Sequence, residues 1–170
     1  MGGNAMTKIF RFVILSLGCI SIANAAMTNS GKYSTTDSIA WGDFINKAEG
    51  VIEGKRSTFL KITNYGTANL DNCLMKGEFI SFGTVLANET QFLKNLTVNT
   101  GETTLNSCKL ENLIISNESN ESDSPRVILK GYTVIQGSVE FKGDSGSVYK
   151  GADVTILGDI INGTVLDLQE

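Results

Sequence analysis

The apolar and polar positions of the chain repeat a phrase. "LDNCLMKGEFIS" (70–81) returns 35 residues later as "LNSCKLENLIIS" (105–116). Both carry Leu, an Asp or Asn, Cys three places after the Leu, a long apolar residue two places beyond the Cys, and a final Ser. A third copy, "FLKNLTVN" (92–99), lies between them and aligns without gaps on "LMKGEFIS" (74–81) and "KLENLIIS" (109–116). This alignment makes Met75, Leu93 and Leu110 equivalent, at spacings of 18 and 17. It also equates Phe79, Thr97 and Ile114, and then Ile80, Val98 and Ile115. "YTVIQGSVEF" (132–141) and "ADVTILGDII" (152–161) extend the series, with Val134 and Ile156 at spacings of 24 and 22. "SNESNESDSP" (116–125) is wholly polar, ends at the only proline, and reads as a loop inserted into one copy.

A repeat of this length marks a solenoid. The copies are rich in Val, Ile, Leu, Phe and Thr and are broken by Gly and Asn, which are strand and turn signals. The pattern predicts an all-β, single-domain parallel β-helix of short rungs, with apolar side chains stacked about 4.8 Å apart. The alternative is an antiparallel β-sandwich, whose short strands recur at comparable spacing. The gap-free match of three copies favours the β-helix.

The ends read differently from the middle. In "DSIAWGDFINKA" (37–48), Ile39, Trp41, Phe44, Ile45 and Ala48 follow a partial helical period after Asp37, with Gly42 against a helix. Residues 26–56 are therefore expected to close the N-terminal end of the solenoid as a helix or irregular strand, with Trp41 on the core, and 57–170 to form the β-helix. "TVLDLQE" (164–170) alternates Val165 and Asp167 with Leu166 and Leu168. It resembles no cap, and its only charged blockers are Asp167 and Glu170, so self-association through this end is expected.

Residues 1–25 read as a secretory signal peptide: Lys8 and Arg11, an apolar run from Phe12 to Ala23, and an Ala23-Asn24-Ala25 cleavage site. The alternatives are a lipoprotein cut before Cys19 and a retained membrane anchor, for which the apolar run is short. The expectation is an exported bacterial protein, periplasmic or extracellular, without a stable membrane span after cleavage. Loss of Lys8 and Arg11, with no acidic residue beside them, takes the formal charge from −4 to −6. An acidic chain without a basic face excludes nucleic-acid binding. The chain has no histidine, so the commonest general base and metal ligand are missing.

Few residues are candidates for chemistry. Cys73 and Cys108 remain after signal removal, and two cysteines in an exported chain suggest one disulfide. The alignment instead puts Cys73, Gln91 and Cys108 in one column, with the cysteines two rungs or about 9.6 Å apart. That exceeds the reach of a disulfide, about 7 Å between Cα atoms, and favours free thiols. Carboxylate catalysis on a polysaccharide would need paired acids. Asp144, Asp153 and Asp159 are the densest group, while Glu78 falls over Leu96 and Leu113 and forms no acidic column. "GDSG" (143–146) lacks the histidine of a serine-protease triad. Asn-x-Ser/Thr sequons stand at Asn88, Asn95, Asn117, Asn120 and Asn162, and corner asparagines such as Asn95 and Asn112 suit β-helix turns.

The Gly-spaced Val and Ile of "VIQGSVEF" and "GSVYKGADVTILGDIING", across residues 126–165, resemble the bactofilins, bacterial polymer-forming β-helix proteins. The resemblance implies a non-enzymatic scaffold that associates end to end, and assigns no functional residue. Three readings of function follow: a structural or interaction module presenting a β-helix face to a protein or glycan, a polysaccharide-acting enzyme using Asp or Glu, and a surface adhesin. No catalytic residue, cofactor or metal is assigned.

Overall fold

The computed structural model describes residues 26–99, 101–117, 125–143 and 147–169; the side chains of Trp41 and Asn117 lie outside the description. The expected signal peptide (1–25, with Cys19), most of the inserted loop (118–124, with Asn120), Asp144 and Glu170 also lie outside the described residues.

The described chain is a parallel β-solenoid of about seven turns, all-β and a single domain. Three central turns show the plan. Each opens with a five-residue strand, then a two-residue strand, then a third strand. They are β6 (Thr67–Asp71), β7 (Leu74–Met75) and β8 (Phe79–Ser81); β9 (Thr84–Asn88), β10 (Gln91–Phe92) and β11 (Leu96–Val98); and β12 (Glu102–Asn106), β13 (Lys109–Leu110) and β14 (Leu113–Asn117). Above them lie β1 (Met27–Asn29), β2 (Lys32–Thr36), β3 (Ile39–Asn46), β4 (Val51–Lys55) and β5 (Thr58–Asn64). Below lie β15 (Arg126–Lys130), β16 (Val134–Ile135) and β17 (Val139–Gly143), then β18 (Ser147–Lys150), β19 (Thr155–Ile156), β20 (Ile160–Ile161) and finally β21 (Thr164–Asp167).

Stacking makes three faces. The first is the eight-stranded sheet β2-β4-β6-β9-β12-β15-β18-β21. The second holds β7, β10, β13, β16 and β19; the third holds β8, β11, β14, β17 and β20. The long β5 joins these two into one sheet, pairing Thr58–Phe59 with β7 and Ile62–Asn64 with β8. Alternation within each strand sends every second side chain inward. The core is therefore a set of columns such as Ile52, Ala68, Val85, Thr103, Val127 and Val148 on the first face.

The expected repeat is present, but its register moves by one residue. On the second face Met75 pairs with Phe92, Phe92 with Leu110, and Leu110 with Ile135. Leu93 is 41% exposed and Val134 half-buried, so neither belongs to the core column in which they were expected; Ile156 does follow Ile135. On the third face Phe79 pairs with Leu96 and Leu113, and Ile80 with Thr97 and Ile114. Ser81, not Ile80, shares a column with Val98 and Ile115. From the turn of Met75 to the next the spacing is 17 on both faces, one less than the alignment's 18; the corner 111–112 is then one residue shorter than 76–78 and 93–95, so the next spacing is 18 on the second face and 17 on the third. A gap-free alignment cannot absorb that difference, and a one-residue slip exchanges inside for outside.

The N-terminal segment expected as a cap forms the first turns of the same coil. β2 pairs with β4 over Lys32–Thr36, and β3 runs alongside β5 with an irregularity between Ala40 and Asp43. The partial helical period of 37–48 is thus a bulged strand, with no helix there; Gly42 at φ 111° marks the bulge. The Tyr33 ring packs on Phe44, centroids 4.8 Å apart, and covers the apolar layer at this end.

Candidate functional site

Polar columns hold the corners. Between the first and second faces, Ser57, Cys73, Thr90, Cys108 and Thr133 occupy equivalent buried positions. Thr90, not Gln91, stands between the cysteines. Each of the first four donates to the carbonyl two residues back, as in Ser57 Oγ to Lys55 O (2.9 Å) and Thr90 Oγ1 to Asn88 O (3.0 Å). The hydroxyls also accept from the preceding turn: the Cys73 amide donates to Thr90 Oγ1 (3.2 Å) and the Cys108 amide to Thr133 Oγ1 (3.1 Å). The residue before each is left-handed, with φ of 46° at Arg56, 52° at Asn72, 48° at Glu89 and 53° at Ser107. That conformation turns the chain through the corner; Asn72 adopts it readily, while Arg56, Glu89 and Ser107 are held in it by the corner.

Cys73 and Cys108 are both free thiols, two turns apart. Burial raises both pKa values and pushes Cys108 to about 11. Buried, protonated thiols are poor nucleophiles, so these cysteines act as small core residues.

A second polar column lies between the third and first faces. Asn29 Nδ2 donates to Asn46 Oδ1 (2.8 Å), Asn46 Nδ2 to Asn64 Oδ1 (2.8 Å), and Asn64 Nδ2 to Ser81 Oγ (3.1 Å). Asn46, Asn64 and Ser81 are fully buried. Their remaining groups reach corner carbonyls, as Asn46 Nδ2 does at Gly50 O (2.9 Å). A Cβ on Gly66 would strike the Gly50 carbonyl oxygen, so the corner closes only around glycine. Below Ser81 the column becomes apolar with Val98 and Ile115.

The acidic candidates do not converge. Asp153 and Asp159 are exposed at two different corners of the last described turn, with β19 between them. Glu78 sits over Lys61 and Asn95 rather than over leucines, and pairs with Lys61 at 3.4 Å. Asp37 is gripped by Arg56 through two hydrogen bonds of 2.6 Å, which hold its carboxyl below the usual range. Asn112 Nδ2 donates to Asn95 Oδ1 (3.0 Å), so the two corner asparagines are equivalent as expected. Among the described residues no group of three metal-ligating side chains forms, and no helix is long and apolar enough to cross a membrane.

The last described turn leaves part of the core open. Among the described residues β19, β20 and β21 each pair on one side only, with β16, β17 and β18. Ile156 and Val165 are partly buried there, and Ile160 is 46% exposed. Leu157, Ile161 and Leu166 add exposed apolar surface around the edge. Asp167 pairs with Lys150 at 3.7 Å, which neutralises one of the two charges expected to guard the edge. The Leu168 amide points back to Lys150 O (2.7 Å), so the alternate amides of Val165 and Asp167 face away from the sheet.

Comparison of the chain with protein-family models, with curated proteins and with solved structures finds no match. The geometry defines the class of protein, a parallel β-solenoid.

Proposed function

We propose that this protein is an exported, non-enzymatic structural or interaction module, a stiff rod that associates with copies of itself through its C-terminal end. The observation that carries the reading is the last described turn. Among the described residues its three strand edges have no partner on their outer side, around an apolar layer of Ile156, Ile160 and Val165. Such an edge templates pairing with another chain unless charge, proline or a covering segment blocks it. At the N-terminal end β1 and β2 also pair on one side only among the described residues, but the first apolar layer there carries the Tyr33–Phe44 ring pair. The scattered, exposed carboxylates argue against a polysaccharide-cleaving site.

Sedimentation velocity of residues 26–170 over a range of concentrations tests the reading. Association is expected to weaken sharply in Ile160→Lys and Val165→Lys, which place a charge in the open layer. An unchanged distribution in both variants, with melting temperatures close to wild type, overturns it.

A further inference from the structure

The outer surface of the third face carries a second ordered pattern. Its central column, read along the rod, is Thr28, Ile45, Thr63, Ile80, Thr97, Ile114, and then Glu140 and Ile161. From Thr28 to Ile114 large and small β-branched side chains alternate turn by turn, and from Ile45 to Ile114 all are half-buried. One flank is polar: Asp43, Lys61, Glu78 and Asn95, with the Lys61–Glu78 ion pair at its centre. The other flank carries Lys47, Tyr65, Phe82 and Asn99. Tyr65 and Phe82 are 47% and 39% exposed, and their rings stack at 4.8 Å and 8°.

We infer that this face docks a second copy of the chain, turned over about a dyad that runs along the strands between β5 and β8. Such a dyad keeps each column opposite itself and reverses the order of turns. Thr63 then faces Ile80 of the second copy, and Ile45 faces its Thr97, so every large side chain meets a small one. Lys61 faces Glu78, and Glu78 faces Lys61, which makes a four-charge cluster of alternating sign. Tyr65 faces Phe82, which joins the two ring pairs. A dyad moved by half a turn, onto Thr63 or Ile80 itself, would oppose Lys61 to Lys61 or Glu78 to Glu78. The pattern is thus self-complementary about one position, as an isologous interface requires. Charge complementarity fixes the register, and flat sheet faces pack about 10 Å apart.

The patch measures about 24 Å along the rod and about 13 Å along the strands, from rung and residue spacing. That lies below the roughly 800 Å² per partner of stable complexes, so the dimer is weak, with Kd on the order of 10–1000 μM. This contact is independent of end-to-end association, because neither uses the other's residues. Joined with it, side-by-side pairing would bundle rods.

The test uses residues 26–170 in four forms: wild type, Ile160→Lys, Ile80→Lys and the double variant. In the end-blocked Ile160→Lys form, sedimentation is expected to show a concentration-dependent dimer that Ile80→Lys weakens at least about 30-fold, since the dyad applies each lysine twice. In the Ile80→Lys form, end-to-end association persists and is lost on adding Ile160→Lys; its absence there counts against the end, not the face. The register is checked by treating Ile45→Cys and Thr97→Cys variants, alone and mixed, with a short bifunctional thiol cross-linker, because sheet faces about 10 Å apart exceed the reach of a disulfide. A cross-linked dimer is expected only in the mixture. A monomeric Ile160→Lys form up to about 1 mM, equal dimerisation after Ile80→Lys, or cross-linking of either cysteine variant alone would each overturn the assignment.

Discussion

Phe92 and Leu93 are neighbours in sequence and opposites in structure, so truncating each to Ala measures the register directly. Phe92 is 2% exposed and stacks between Met75 and Leu110. Its ring meets Phe79 edge-on, centroids 5.8 Å apart at 78°. Phe→Ala at such a site removes the transfer free energy of the ring and leaves a cavity, together about 3–5 kcal/mol. The edge-on pair lies within that range and contributes about 0.5–1.5 kcal/mol of it. Leu93 is 41% exposed on the corner, so its truncation removes little buried area and costs at most about 1 kcal/mol. For a chain of this size each kcal/mol moves Tm by about 2–4 °C. Phe92→Ala is therefore expected to lower Tm by about 6–20 °C, and Leu93→Ala by at most about 4 °C. Circular dichroism melts and urea midpoints on both variants are the assay. Equal losses, or a larger loss at Leu93, would show that the turn is slipped by one residue and would refute the stacking described here.

Four further outcomes are expected. Residues 26–170 should react with a thiol reagent slowly when native and at both Cys73 and Cys108 after denaturation without reductant; no titratable thiol in the denatured chain would show a disulfide. Because Cys108 titrates near 11 in the folded chain against an ordinary 9.0, the unfolded chain loses that proton first. Its contribution to stability is whole below pH 9.0 and is lost as pH rises towards about 11, and Cys108→Thr, which copies Thr90 and Thr133, should flatten that part of a stability–pH curve. Asn64→Ala leaves Asn46 Nδ2 without one acceptor and empties a buried site, and should cost about 1–3 kcal/mol in urea unfolding, while Asn72→Gly, at a left-handed corner, should be tolerated and Asn72→Val should cost about 1–2 kcal/mol.

The sequence by itself determined the class of fold. A repeat near 17 residues, written in β-branched residues and broken by Gly and Asn, has few physical solutions, because a rung so short can bury its apolar side only against another copy of itself. The spacing of Cys73 and Cys108 likewise placed them two turns apart, out of bonding reach. The register lay beyond the sequence. Phe92 and Leu93 are both apolar and adjacent, and strands of two residues have no alternation long enough to say which points inward. The same holds for Val134 and Ile135. Only stacking decides, because each turn must lay its side chains on those of the turn before, and a corner shortened from three residues to two moves one face without the other. The bulged β3 shows a further limit. Its local spacing imitates a helix, but the edge offered by β5 satisfies its backbone as a strand. The outward Ile/Thr column and the buried asparagine ladder were invisible for a related reason. Their members lie 17 or 18 residues apart in the chain, and become neighbours only when the turns close upon one another at the spacing of hydrogen-bonded strands.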